Sequence, residues 1–133
     1  MEKVLVISSQ LTEINEVRNF IEKSFNEFSL NKAYFNHIFI GISEAVNNAI
    51  LHGNKLNSKK NVFIRLNFMV NQLRIEIEDE GDGFYDTVLF DPTNPESIKL
   101  EHGRGIFILR QIADELTFKD GGKKVIILFT IPE

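Results

Sequence analysis

The sequence contains no cysteine and no tryptophan. Without cysteine the chain has no disulfide, no thiolate zinc ligand and no cysteine nucleophile, a composition that suits a reducing compartment. Without tryptophan, the aromatic packing of the interior depends on phenylalanine, which occurs twelve times. We therefore expect phenylalanine rings to dominate the core.

The chain also lacks a block of basic residues and a long apolar run. Fifteen lysines and arginines are outnumbered by nineteen aspartates and glutamates, whereas affinity for nucleic acid depends largely on neutralising phosphates. The apolar stretch Val4–Ile7 is too short for the hydrophobic region of a signal peptide or for a membrane span. We therefore expect a cytoplasmic protein with no direct nucleic-acid partner and no membrane partner.

Hydrophobic spacing predicts one α+β domain over residues 1–133. Alternating apolar and polar positions predict strands over 62–69 and 73–79, and short apolar runs predict strands over 4–7 and 125–131. Apolar steps of three and four predict helices over 14–28, 31–52 and 106–116. The order β-α-α-β-β-loop-α-β, with room for one more strand near the end, favours two layers: helices on a mostly antiparallel sheet.

Glu44 and Asn48 stand four residues apart and so share one face of the second predicted helix. A carboxylate beside an amide suits a magnesium–nucleotide site, since the amide oxygen can ligate Mg²⁺ and the carboxylate can take a proton from a nucleophile. The alternative is a solvated polar stripe, which is common at this spacing. His52 follows on the same side, where it either joins this face or ends the helix favourably.

Asp79 continues the apolar row of alternate positions 73–77, which predicts a buried carboxylate at the strand end. A buried carboxylate needs a partner. This one either accepts the exocyclic amine of a purine or caps the following turn through backbone N–H groups. Gly81 and Gly83 come next and allow both a tight turn and the close approach of a planar ligand.

Gly103, Arg104 and Gly105 lie just before the third predicted helix. Free N–H groups and the positive end of the helix dipole attract phosphate there, and Arg104 adds a charged donor. The alternative is an ordinary glycine-rich helix start. The irregular segment 81–105 that leads to it has the length of a functional loop or lid.

In this order the segments resemble the motifs of the GHKL ATPases, and among them the anti-sigma-factor serine/threonine kinases. Ser43–Ala49 with His52 and Gly53 resembles the N box of that family, and Asp79–Phe84 resembles its first glycine box. Asp91–Glu96 resembles its lid, and Gly103–Phe107 resembles its second glycine box. The likeness extends over nearly the whole chain.

The resemblance implies a Bergerat-type (HATPase-like) fold with ATP lying between helices and covered by a lid. It implies that Asn48 ligates Mg²⁺, that Glu44 acts as the base and that Asp79 binds the adenine amine. The remaining residues that it places at the nucleotide are His52 and Gly81, Gly83 close to the adenine ring, and Gly103, Arg104 and Gly105 at the phosphates. Where the family often has a Gly-Thr pair before the last strand, this chain has Gly122 and Lys123.

The function implied is an ATP- and Mg²⁺-dependent serine/threonine protein kinase that acts as an anti-sigma regulatory factor. Such a protein phosphorylates an anti-sigma-factor antagonist and sequesters a sigma factor, and relatives commonly form homodimers. Arg18, on the first predicted helix, falls where family members contact their partners. The alternative function is a nucleotide-gated partner-switch binding module with little or no catalysis. The acid at Glu44 disfavours a third option, the detached catalytic domain of a histidine kinase.

Overall fold

The computed structural model of this protein describes residues 2–81 and 101–132, apart from the side chains of 101–106. Within these ranges, five strands form one antiparallel sheet in the order β1-β2-β3-β5-β4, so that β3 lies at its centre. The strands are β1 (Glu2–Ser8), β2 (Asn61–Met69), β3 (Gln72–Glu78), β4 (Glu115–Lys119) and β5 (Lys124–Thr130).

In the part of the chain that the structure describes, three α-helices accompany the sheet: α1 (Ile14–Glu27), α2 (Phe35–Asn48) and α3 (Glu101–Ile112). Asn31 caps the 3-10 turn that leads into α2, because its side chain accepts the backbone N–H of Ala33 at 2.9 Å. At its other end α2 continues into one π-helical turn, Ala49–Gly53. No helix of the described part is long and apolar enough to cross a membrane.

The two faces of the sheet differ in the way that alternation predicts. One face carries ion pairs, among them Lys124 with Glu76 at 2.9 Å and Arg65 with Glu78 at 3.3 Å. The other face packs against the helices, and nine of its side chains on β2, β3 and β5 are at most 6% exposed: Val62, Ile64, Leu66, Leu73, Ile75, Ile77, Val125, Ile127 and Phe129. An antiparallel sheet with one buried face and one solvated face follows. The predicted α+β fold class is confirmed.

The predicted dominance of phenylalanine in the core is wrong. The largest side chains below 2% exposure are all isoleucine or leucine, among them Ile42, Ile64 and Ile75. Several phenylalanine rings instead contact one another beside this aliphatic centre, such as Phe25 with Phe35 at 5.5 Å between ring centroids. Branched aliphatic side chains suit the pleated surface of a sheet, which explains why they occupy the layer between sheet and helices.

The last predicted helix differs from the structure at both ends. It begins at Glu101, so Gly103, Arg104 and Gly105 lie inside it and not before it, and it ends at Ile112. Leu116 therefore lies on β4, where it is paired with Ile127 of β5. The apolar spacing of Leu116 fits a helix, but pairing with the neighbouring strand decides the conformation of this short segment.

We expect Ile75→Ala to lower the free energy of unfolding by about 2–5 kcal/mol, because it leaves a cavity at a residue of the central strand that is 0% exposed. Urea denaturation measures the change. Met69→Ala is the control, since Met69 is 65% exposed, and it should change stability by no more than about 0.5 kcal/mol. Equal effects of the two substitutions would contradict the assignment of the buried face.

Candidate functional site

Asp79 follows directly after β3 and is 3% exposed, as the strand pattern predicts. Its Oδ1 accepts the backbone N–H of Gly81 at 2.8 Å, and its own backbone N–H donates to the carbonyl of Lys123 at 2.9 Å. The turn-capping alternative for this carboxylate is therefore realised. The same side chain also borders a cavity, so capping the turn does not remove it from a binding role.

The cavity lies between the carboxyl end of α2, the ends of β3 and β5, and α3. Asn48, which is 7% exposed, and Asp79 both line it. Most of the other described lining residues are apolar or small: Ala45, Ala49, Ile77, Leu109, Phe118, Gly122 and Val125, with Lys123 beside them. The helix amide and the strand-end acid thus border one concave site with mostly apolar walls.

Burial raises the pKa of Asp79 from an ordinary value of 3.8 to about 6. The hydrogen bond from Gly81 and the positive charge of Lys123 act in the opposite direction and offset part of this rise. Desolvation penalises the charged form of a carboxyl group, so the remaining acceptor capacity of Asp79 favours a hydrogen-bond donor that enters the cavity.

Glu44 lies on α2 one turn before Asn48 and is half-buried, and burial raises the pKa of its carboxyl group above the ordinary value. It is therefore not part of a fully solvated stripe. Neither Glu44 nor His52 is among the described residues that line the cavity. His52 lies in the π-helical turn after α2, and π turns are frequent at functional sites.

Gly53 and Gly81 allow the end of α2 and the end of β3 to touch. A Cβ atom on Gly53 would overlap the carboxylate of Asp79, and a Cβ atom on Gly81 would overlap the carbonyl oxygen of Gly53. Only glycine therefore fits at these two positions without displacing the acid. The spacing of residues in the sequence does not reveal this contact, because it gives no sign that the carboxylate of Asp79 lies against Gly53.

The three residues expected at the phosphates lie in the first turns of α3, where Gly103 and Arg104 are the third and fourth residues. The first four backbone N–H groups of a helix have no partner within it, so these positions keep donors available. Leu109 of the same helix lines the cavity, which places α3 beside the site. Gly83 and the predicted lid at 91–96 lie outside the described residues.

Lys123 stands at the position where the resemblance leads one to expect threonine. It is half-buried, it lines the cavity, and its carbonyl oxygen holds the backbone N–H of Asp79. Gly122 before it is buried and has a φ of 99°, a conformation that favours glycine. The backbone at this position thus helps to hold Asp79, and the side chain brings a positive charge in place of a hydroxyl group.

Arg18 lies at a second surface, between α1 and the amino-terminal half of α2. Its guanidinium group stacks over the rings of Phe35 and Phe39, at 5.4 and 5.2 Å from their centroids, and it pairs with Glu22 at 3.3 Å. Phe35 begins α2 and Asn48 ends it, so the two surfaces are about 20 Å apart at about 1.5 Å per residue.

The donor set fits a nucleotide with magnesium. Among the described residues no three histidines, aspartates or glutamates come together in a way that could hold a metal ion. Mg²⁺ is usually bound by one or two protein ligands together with substrate phosphates and water, and the buried amide of Asn48 can be one such ligand. The carboxylate of Asp79 fits an amine donor that enters the same cavity.

Comparison with known proteins gives a family and a fold. A family model described as the histidine kinase-like ATPase domain matches residues 7–129. The serine-protein kinases RsbW of Staphylococcus aureus strains MSSA476 and MW2 are each 32% identical over 91 residues, which cover 62% of this chain and 57% of theirs. The match thus spans little more than half the length of these relatives.

A solved structure gives the same fold. The crystal structure of the RsbU and RsbW domains of Rv1364c from Mycobacterium tuberculosis aligns with a TM-score of 0.68 and 16% identity. The alignment covers 98% of this chain and 32% of that chain. At this level of identity the likeness concerns the fold alone.

We expect Asp79→Asn to stabilise the folded protein near neutral pH. Because the pKa of the buried carboxyl is raised, the folded state loses stability as pH rises from about 3.8 to about 6. A pKa difference of about two units between the folded and unfolded states corresponds to a loss of about 3 kcal/mol in the free energy of unfolding. The neutral amide of asparagine does not cause this loss. Urea denaturation should show a clear gain for the variant near pH 7.5 that shrinks near pH 4. A loss of stability at both pH values would contradict the raised pKa.

We expect Gly53→Ala to lower the free energy of unfolding by about 1–3 kcal/mol, because the new Cβ atom overlaps the carboxylate of Asp79. Thermal or urea denaturation measures the loss. Gly41→Ala on α2 is the control, since its Cβ atom would meet only side-chain carbons at 3.0–3.2 Å, which can shift. Gly41→Ala should lower the free energy of unfolding by less than Gly53→Ala does. A larger loss for Gly41→Ala would contradict the proposed overlap at Gly53.

Proposed function

The chain belongs to the histidine kinase-like ATPase domain family, and from this premise we propose that it is an ATP-dependent serine/threonine protein kinase acting as an anti-sigma regulatory factor. Its substrates are ATP and a serine or threonine of an anti-sigma-factor antagonist, and it also sequesters a sigma factor. The observation that carries the proposal is the single cavity that Asn48 and Asp79 line together. The similarity to serine-protein kinases named RsbW supports it.

Adenine recognition is assigned to Asp79. A buried carboxylate is a strong acceptor for the exocyclic amine of a purine, and the apolar walls formed by Ile77, Leu109 and Val125 suit the faces of a flat ring. Gly81 supports this acid through its N–H group. His52 and Gly83 are proposed to lie near the nucleotide on the strength of the family motifs alone.

The phosphates and the metal are assigned to the two helices beside the cavity. Asn48, at the end of α2, is proposed to ligate Mg²⁺ through its amide oxygen, and the metal neutralises charge on the phosphates. Gly103 and Arg104, in the first turn of α3, are proposed to hold the phosphates by free N–H groups and by the charge of Arg104, with Gly105 next to them.

Glu44 is proposed as the general base. It removes the proton from the hydroxyl group of the acceptor, whose oxygen forms a bond to the γ-phosphorus while the bond between that phosphorus and the bridging oxygen of ADP breaks. Phosphoryl transfer requires mainly positioning and charge neutralisation. Burial raises the pKa of Glu44, which makes its carboxylate a stronger base at the pH where it is ionised.

The protein partners are assigned to the surface around Arg18. The guanidinium group is half-exposed and is held in place by two aromatic rings and Glu22, so it offers a preorganised charge to a partner at little cost in side-chain entropy. The groove beside it is lined by Phe25, Asn26, Lys32 and Phe35 as well. We propose a cytoplasmic protein, and the homodimer common among relatives is the proposed assembly.

We expect Glu44→Gln to reduce phosphoryl transfer by about 10²–10⁴-fold, because the amide cannot accept the proton. ATP affinity should change little, since Glu44 is not among the described residues that line the cavity. Transfer from labelled ATP to the antagonist measures the first effect, and calorimetry with ATP and Mg²⁺ measures the second.

Glu16→Gln is the control for this experiment, because Glu16 is exposed on α1 and its replacement should leave both quantities unchanged. Full phosphoryl-transfer activity of Glu44→Gln would contradict the assignment of Glu44 as the general base. Binding of ATP by the unaltered protein without transfer to any antagonist would favour the nucleotide-gated binding module. No heat of binding with ATP and Mg²⁺ would overturn the proposal as a whole.

A further inference from the structure

We propose that Asn54 is a positioning residue for base recognition: its side chain fixes the segment that carries Asp79 and thereby sets the preference for an adenine amine. The inference rests on the proposed nucleotide-binding function and deepens it. Asn54 is 2% exposed and is not among the described residues that line the cavity. Any effect that it has on a ligand is therefore exerted through other residues.

Three hydrogen bonds hold the carboxamide of Asn54. Its Oδ1 accepts the backbone N–H of Glu80 at 2.8 Å, and its Nδ2 donates to the Oγ of Ser9 at 2.8 Å and to the carbonyl of Asn61 at 2.9 Å. The orientation of the amide follows from these partners, since an N–H group needs the oxygen and a carbonyl needs the nitrogen. A buried amide that satisfies this many bonds is rigid.

The partners of Asn54 are themselves held. The hydroxyl group of Ser9 donates to the carbonyl of Lys60 at 2.6 Å, so its lone pairs remain for Asn54. The side chain of Glu80 accepts the backbone N–H of Asn61 at 2.8 Å. One buried side chain thus ties together the segment after β1, the start of β2 and the residue that follows Asp79.

This network determines where the carboxylate of Asp79 stands. The backbone N–H of Asp79 is bonded to Lys123, its Oδ1 is bonded to Gly81, and the peptide between these two points is bonded to Asn54. Asn54 therefore supplies the side-chain contact that holds the middle of the turn. Without it, the N–H of Glu80 loses its acceptor and the turn loses its link to Ser9 after β1, while the side chain of Glu80 still accepts the N–H of Asn61 at the start of β2.

Asn54 also joins this turn to the end of α2. Its backbone N–H donates to the carbonyl of Ala49 at 2.8 Å, and Ala49 lines the cavity next to Asn48. Gly53, directly before Asn54, lies against the carboxylate of Asp79. Asn54 is therefore bonded both to the segment that carries Asn48, the proposed metal ligand, and to the segment that carries Asp79, the proposed base-binding residue.

The readout that isolates positioning is the preference for ATP over inosine triphosphate. Inosine carries a carbonyl oxygen in place of the exocyclic amine, so a well-placed carboxylate attracts one base and repels the other. The triphosphate is common to both ligands. A displaced Asp79 lowers the ratio of the two affinities, whereas a general loss of structure lowers both affinities equally.

We expect Asn54→Ala to lower the ratio of ATP to inosine triphosphate affinity by about 10-fold or more, in line with the loss of one or two buried hydrogen bonds. Ser9→Ala removes one anchor of Asn54 and keeps its bond to Glu80, so it should lower the ratio by less. Asn57→Ala is the matched control, because Asn57 is an exposed asparagine in the same loop, and it should leave the ratio unchanged.

Calorimetry with Mg²⁺ and each nucleotide gives the affinities, and circular dichroism shows that each variant is folded. A folded Asn54→Ala that loses both affinities in equal proportion, or neither, overturns the inference. If that variant does not fold, Ser9→Ala decides: a reduced ratio supports the inference, and an unchanged ratio overturns it. Asp79→Asn, which lacks the carboxylate, marks the ratio expected when recognition is fully lost.

These outcomes are separate from those of the proposed function. If the unaltered protein binds neither nucleotide, the proposed function fails. If it binds ATP with a clear preference and Asn54→Ala keeps that preference, the proposed function stands and the role of Asn54 fails.

Discussion

The site depends on the contact between the end of α2 and the end of β3. There Gly53 lies against the carboxylate of Asp79, and Gly81 lies against the carbonyl oxygen of Gly53. This contact brings the amide of Asn48 and the acid of Asp79 to one cavity, although one residue belongs to a helix and the other to the sheet. A single extra carbon atom at either glycine separates the two elements, because the space between them is already filled.

A buried acid at this contact costs stability near neutral pH, since desolvation raises its pKa to about 6. The backbone offsets part of the cost through the N–H of Gly81, and Lys123 offsets a further part by its charge. The buried aliphatic layer that joins β2, β3 and β5 to α1 and α2 supplies hydrophobic stabilisation that offsets this loss. Binding sites in general are often less stable than the same positions would be with residues chosen for stability alone.

The helix α2 connects two surfaces of different chemistry. At its start, Phe35 and Phe39 hold the guanidinium group of Arg18, and at its end Asn48 lines the cavity. The core of the protein buries the face between them, including Ile42 and Val46 at 0% exposure. Under the proposed function, this helix gives a partner and a nucleotide separate places on one element.

Local pattern in the sequence determined the elements and the burial of single side chains. Alternation along β3 placed Asp79 on the buried face, and spacing placed Glu44 and Asn48 on one side of α2. Only the tertiary structure decided which of these residues meet, that Leu116 joins a strand and that isoleucine and leucine fill the core. It also decided that Gly53 lies against the acid and that Asn54 bonds to the residue after it. Periodicity records the face on which a side chain lies, whereas contacts between distant segments follow from packing, which no local pattern encodes.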